Sequence, residues 1–349
     1  MRPAFQLLRA LSENNVFGTG PNGEAPTPPI GFGLTNEELQ KVRAIHATAG
    51  IVMHYGANDW SQAQVAGLQA QFAEMGIDVV AVTDAGFDPA KQVADIEAVL
   101  ADEPDVIVSI PTDPVATAAA YKKAVAQGVK LVFMDNVPMG MKHGEDYVSV
   151  ASADNFGNGV ASAHLMAEGL DRQGTVGVVF HNADFFVTRQ RYEAFRQTLH
   201  ESYPAIQIVE EVGIHGPDFA ADARKGAATM LARHRDLSGI WAVWDVPAEG
   251  VMAAARTAGR DDLVITTVDL GLNVALELAR GGLVFGVGAQ RPFDLGVHEA
   301  ELAAYGLLEK EAPAYVALPA LPVSRLSVLD AWESVYHHAP PPQLVEAAS

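Results

Sequence analysis

Strand and helix alternate along almost the whole of this chain, and the alternation runs twice. From residue 48, short apolar segments are each followed by an amphipathic stretch: AGIVMH then SQAQVAGLQAQFAEMG, IDVVAV then PAKQVADIEAVLAD, DVIVSI then PVATAAAYKKAVAQG, and finally KLVFMD. The short segments are continuous rather than alternating in polarity, as expected of strands in a parallel sheet covered on both faces. Parallel neighbours need a crossover, and a helix supplies it with right-handed connection. The pattern predicts an α/β layered fold.

After YVSVASADN the rhythm restarts with TVGVVFH, VTRQRYEAFRQTLHESY, IQIVEEVG, AADARKGAATMLARH, GIWAVW, PAEGVMAAARTAG, LVITTVD, GLNVALELARGG and LVFGVG. A last helix, FDLGVHEAELAAYGLLEK, and short extended pieces near 315–328 close the chain. Two similar doubly wound lobes follow. The expected division is an arm and helix start over 1–44, a first lobe over 45–152 plus 291–325, and a second over 153–290 plus 326–349. Three crossings near 152–154, 290–292 and 322–327 would form a hinge, with a ligand cleft between the lobes. Residues 15–34, rich in Gly and Pro, read as a linker or surface arm, and Thr35 as the N-cap of the helix in LTNEELQKVRAIHA.

Composition narrows the function. The 349 residues carry 23 Lys and Arg against 43 Asp and Glu, a net charge of −20. That balance repels a phosphate backbone and argues against nucleic acid. With no cysteine, disulfides, thiolate metal sites and cysteine nucleophiles are excluded. No apolar run reaches the length of a membrane helix. MRPAFQLLRALSENN is too polar for a secretory h-region, so the expectation is either a cytoplasmic protein or a chain without its signal segment.

In open parallel sheets, ligands sit beyond the carboxyl ends of the strands. Those ends here carry His54, Asn58, Asp59 and Trp60, the IPTDP loop, and Asp135 with Asn136. In the second half they carry His181, Asn182 and Asp184, then Trp244 and Asp245, Asp269, and Gln290 with Arg291. Asp113 and Asp245 are assigned to capping or turn roles. Tryptophan beside carboxylates suits a polyhydroxyl ligand: indole faces cover C–H surfaces while carboxylates accept hydroxyl hydrogen bonds.

Other motifs read as structure. GTGPNG at 18–23 has the form G-x-G-x-x-G but follows no strand and opens no helix. HGEDY at 143–147 fits no zinc spacing, and His337 and His338 sit by the Pro-rich tail as surface residues. No Walker loop, G-x-S-x-G elbow or other catalytic constellation occurs, so neither an enzymatic reaction nor a cofactor is expected.

Taken in order, NDW, PTDP, VFMDN, VASADN, TRQRYEAF, AVWDVPAEG, TTVDLG and GAQRP make residues 48–328 resemble the type 1 periplasmic sugar-binding proteins, ribose-binding-like proteins that share their fold with the ligand domains of LacI-type repressors. The resemblance implies two Rossmann-like lobes, and site roles by position. Asn58 and Trp60 match the loop whose aromatics sandwich the sugar, and Asp59 between them is expected to bind ligand as well. Asp135 and Asn136 match a ligand-binding Asp-Arg pair, with Asn in the Arg position. Arg189 matches the arginine that points into the cleft from the second lobe, and Phe219 a stacking aromatic. Trp244 stands where ribose binders have an asparagine, and Asp269 and Gln290 match the remaining polar contacts. The departures at Asn136 and Trp244 favour a compact pentose or an acyclic polyol.

The resulting expectation is a monomeric, periplasmic or extracytoplasmic solute-binding protein that hands a neutral sugar or sugar alcohol to an ABC permease. The second reading is the effector domain of a LacI-type regulator, against which stands the lack of a helix-turn-helix within residues 1–47. The third is a doubly wound enzyme.

Overall fold

The computed structural model describes residues 15–29 and 33–349. The polar stretch 1–14, and positions 30–32 of the Gly/Pro-rich segment, lie outside the described residues. The chain divides into two compact units. Each is built on a six-stranded sheet flanked by helices, the two-lobed α/β architecture expected from the sequence.

The first unit comprises the described residues of 19–153 together with 292–318. Its strands are β1 (Thr48–Met53), β2 (Asp78–Asp84), β3 (Val106–Ser109), β4 (Lys130–Met134), β5 (Ser149–Ala153) and β11 (Tyr315–Leu318), in the order β11-β5-β4-β3-β1-β2. All pairings are parallel. The central β3 is buried at every position, whereas the edge strand β2 has no fully buried residue. Its helices are α1 (Asn36–Ile45), α2 (Asp59–Met75), α3 (Pro89–Ala101), α4 (Ala118–Ala126) and α10 (Pro292–Leu307). Thr35 closes a capping box with Glu38 at the start of α1, as its sequence position predicts.

The second unit comprises residues 15–18, 154–291 and 319–349. Its strands are β6 (Gly174–His181), β7 (Ile206–Ile214), β8 (Gly239–Ala242), β9 (Val264–Val268), β10 (Val284–Ala289) and β12 (Leu321–Ser324), in the order β12-β10-β9-β8-β6-β7. Its helices are α5 (Asn155–Gly169), α6 (Phe186–Ser202), α7 (Phe219–Arg233), α8 (Asp245–Thr257), α9 (Leu272–Arg280), α11 (Val328–Tyr336) and α12 (Pro342–Ala348). Trp241 lies at the centre of the core, fully buried, with Phe195 stacked at 4.8 Å and its indole N–H donated to Ser162 at 2.9 Å. A buried indole N–H needs such a partner.

The structure departs from the expected boundaries in two places. Residues 319–325 belong to the second unit, not the first, because β12 pairs antiparallel with β10 through Ala289↔Leu321 to Gly286↔Ser324. The chain therefore passes between units at 318/319 rather than at 322–327, alongside passages at 153/154 and 291/292. A further passage lies at 18/19, within the segment read as an arm. There the Asp154 carboxylate accepts from the backbone N–H of Phe17 and Gly18 at 2.8 and 2.9 Å. Further on, Thr27 exchanges backbone hydrogen bonds with the edge strand β11. Among the described residues no helix is long and apolar enough to cross a membrane.

Candidate ligand-binding site

Asp135 and Asp269 follow the fourth strand of each sheet, and both have left-handed backbones, φ 60° and 69°. Each N–H still bonds to the neighbouring strand, Asp135 to Ala151 O at 2.9 Å and Asp269 to Gly288 O at 3.2 Å. Aspartate tolerates this conformation better than most residues. Both carboxylates are buried.

In the second unit, Asp269 is the centre of a polar network. Its Oδ2 accepts from Arg191 Nη1 at 3.1 Å and its Oδ1 from Gln290 Nε2 at 2.7 Å. Arg191 also donates through Nε to Asn155 Oδ1 at 2.8 Å and through Nη1 to Val243 O at 3.3 Å. The side chains of Arg191 and Asp269 are only 6% and 8% exposed. Burial pushes the Asp269 carboxyl up from its ordinary value, while the charge of Arg191 and the bonds from Gln290 and Arg191 oppose that rise. Gln290 Oε1 is buried with no hydrogen-bond partner among the described residues.

Trp244, which follows the Val243 carbonyl reached by Arg191, belongs to an aromatic group. Phe219 and Trp244 meet edge-on at 5.0 Å, and His181 lies 5.4 Å from Phe219 and 5.5 Å from Trp244. Phe185 completes the group at 6.0 Å from His181. Gly216, at φ 73°, lets the preceding loop cross the Phe219 ring, because a Cβ there would lie 2.6 Å from that ring. Burial, with a smaller contribution from His215, lowers the His181 pKa to about 4, so its imidazole is neutral at physiological pH.

In the first unit, Ser152 Oγ donates to Asp135 Oδ1 at 2.6 Å. Asn136 Nδ2 donates to Pro111 O at 3.1 Å and ties this strand end to the IPTDP loop. Trp60 and Phe87 each meet His54 edge-on, at 6.2 and 4.8 Å. The indole N–H of Trp60 is buried with no hydrogen-bond partner among the described residues. Asn58 is the N-cap of α2, accepting from Ser61 N at 2.9 Å, and Asp59 is that helix's first residue.

Trp60, Asp135 and Asn136 thus lie on one unit, and Phe219, Trp244, Asp269 and Gln290 on the other. Arg189 does not join them. Its side chain is 50% exposed and pairs with Asp184 at 2.7 Å. Two residues on, about 200° around a helix, Arg191 takes the buried position. The residue signal in TRQRYEAF is present, but only the helix's packed face tells the two arginines apart. Asn155, Phe185 and Phe87 were likewise not singled out by sequence. Asp113 fills its expected turn role, accepting from the N–H of Val115 and Ala116, and Asp245 accepts from Val246 N.

Residues 49–311 match the family model described as a periplasmic binding protein domain. That span is most of the α/β body. The chain belongs to the periplasmic binding protein family. This family member is 29% identical over 202 residues to the ribose import binding protein of Bacillus subtilis, a match covering 57% of this chain and 62% of that protein. Among solved structures, it is similar to an ABC transporter solute binding protein from Agrobacterium vitis bound with alpha-D-tagatopyranose, with TM-score 0.76 and 22% identity, covering 83% of this chain and 99% of that one. A second Agrobacterium vitis solute binding protein, with bound allitol, gives TM-score 0.72 at 23% identity over 82% and 97% of the two chains.

Proposed function

We propose that this periplasmic binding protein captures a small neutral sugar or sugar alcohol outside the cytoplasm and presents it, as a monomer and without chemical change, to the permease of an ABC importer. The observation that carries this reading is Asp269, a buried carboxylate fixed by Arg191 and Gln290 on the unit that also holds the edge-on pair Trp244 and Phe219. A fixed carboxylate accepts two hydroxyls, a guanidinium donates to sugar oxygens, and indole or phenyl faces cover the C–H side of a polyol. On the first unit, Asp135 and Trp60 are proposed as ligand contacts, with Asn58, Asp59 and Asn136 shaping that rim. Arg189, exposed and paired with Asp184, has no part in this proposal. The curated relative's role in ribose import and the sugar and polyol held by the solved neighbours support the ligand class.

A thermal-shift screen against pentoses, hexoses and acyclic polyols tests the reading, followed by calorimetric titration of the hits. A ligand at 100 times its Kd adds about 2.7 kcal/mol of stability. Stabilisation by amino acids or purines, with sugars and polyols inert, would overturn it.

A further inference from the structure

The seam between α2 and α10 carries a polar pair that the rim does not account for. Gln64 Nε2 donates to Glu299 Oε1 at 2.7 Å and to Met134 Sδ at 2.9 Å. Gln64 and Glu299 are both fully buried, and Gln64 Oε1 and Glu299 Oε2 have no hydrogen-bond partner among the described residues. A Cβ on Gly296 would lie 2.3 Å from Gln64 O, and one on Gly67 would lie 2.1 Å from Phe293 O, so the two backbones are already in contact. Met134 ends β4, and the residue that follows it is Asp135.

We propose that Glu299 is a positioning residue for ligand recognition: it is held as the neutral acid in the seam between α2 and α10, and Gln64 links it to Met134, the residue before Asp135. This inference rests on the proposed function. Two carboxyls in one water-poor region do not both ionise. Asp135 accepts a hydrogen bond from the Ser152 hydroxyl. Glu299 has one amide donor and no cation. Burial pushes its carboxyl well above the ordinary range; the Gln64 hydrogen bond opposes the rise and the charge of Asp135 adds to it.

Of the charged groups on the elements packed here, Lys130 at the start of β4 lies against Gly306 of α10. Asp59 opens α2 and Glu74 lies in its last turn. On α10, His298 and Glu301 pair with each other at 2.9 Å and Asp294 lies in the first turn. From β3 and β5 the buried polar groups are the neutral Ser109, bonded to the Tyr121 hydroxyl, and Ser149 and Ser152. A neutral Glu299 lets Asp135 act as a lone acceptor for sugar hydroxyls. An ionised one would set a second negative charge behind it.

The test compares wild type with Glu299→Gln, an amide that mimics the protonated acid. In infrared difference spectra of the unliganded proteins at neutral pH, wild type should show a protonated-carboxyl C=O band that Glu299→Gln lacks. Sugar affinity of Glu299→Gln should stay within about threefold of wild type at neutral pH. With rising pH, wild-type affinity should fall while that of Glu299→Gln holds. The double variant Gln64→Met/Glu299→Met keeps the seam uncharged and apolar, which such sites tolerate, but removes the hydrogen bond that ties Met134 to α2, and should lose about tenfold in affinity. Absence of the band, parallel pH profiles, or undiminished affinity in the double variant each overturns the proposal. The band is read without sugar, so failure of this inference stays distinguishable from failure of the proposed function.

Discussion

Arg191 and Asp269 form an ion pair of 3.1 Å with both side chains more than nine-tenths buried. Removing one partner strands the other charge, which costs on the order of 3–5 kcal/mol. Arg191→Ala should lose stability of that order in chemical denaturation and bind sugar poorly. Arg189→Ala breaks an exposed pair with Asp184, worth about 0–1 kcal/mol, and should leave both quantities nearly unchanged. Equal effects from the two arginines would contradict the assignment.

Asp135 makes a separable test because its backbone and its carboxylate do different work. Asp135→Asn keeps a side chain tolerant of φ 60° and removes the charge. Asp135→Ala places a Cβ-bearing residue without that tolerance in the left-handed region, at roughly 1–2 kcal/mol. Both should weaken sugar binding by about two powers of ten, the loss of charge-assisted hydrogen bonds worth about 1.5–3 kcal/mol. Only Asp135→Ala should also lose backbone stability. Titration calorimetry beside urea denaturation separates the effects, and full affinity in Asp135→Asn would remove Asp135 from the site.

Two histidines set an acid limit. His181 and His164 both have folded pKa values lowered to about 4 from an ordinary 6.5, chiefly by burial. The native state therefore refuses protons that the unfolded chain accepts. Stability is undiminished above pH about 6.5 and is lost progressively as pH falls toward about 4, on the order of 2–3 kcal/mol per histidine. His164→Gln and His181→Gln should each flatten the acid side of the stability profile. An unchanged slope in both would show that these rings titrate normally.

Asp154 serves two backbones at once. It caps α5 through Gly157 N at 2.8 Å and holds Phe17 N and Gly18 N. Asp154→Ala should lose about 1 kcal/mol for the cap alone, and limited proteolysis should then cut near residues 15–20 before the body of the protein. Protease resistance equal to wild type would mean that the segment is held elsewhere.

Much of the architecture was legible because hydrophobic period is a local property. The buried run in LVFM predicts a covered strand, and Asp135 and Asn136 at its end predict a polar rim. The helix Asn155–Gly169 was not legible. It is buried nearly all round, so it lacks the amphipathic period by which surface helices are found. The helices Val328–Tyr336 and Pro342–Ala348 were missed as well: they are short, and Pro-rich sequence separates them.

The sequence by itself determined two α/β units, sheets that are parallel in their central strands, and strand ends bearing carboxylates and indoles. These follow from which residues lie next to each other along the chain. Only the tertiary structure decided that Arg191 rather than Arg189 meets Asp269, that Leu321–Ser324 joins the second sheet, and that Gln64 and Glu299 meet beside Met134. Each depends on partners far apart in the chain, and the charge a buried group can hold is set by which of those partners packing brings within reach.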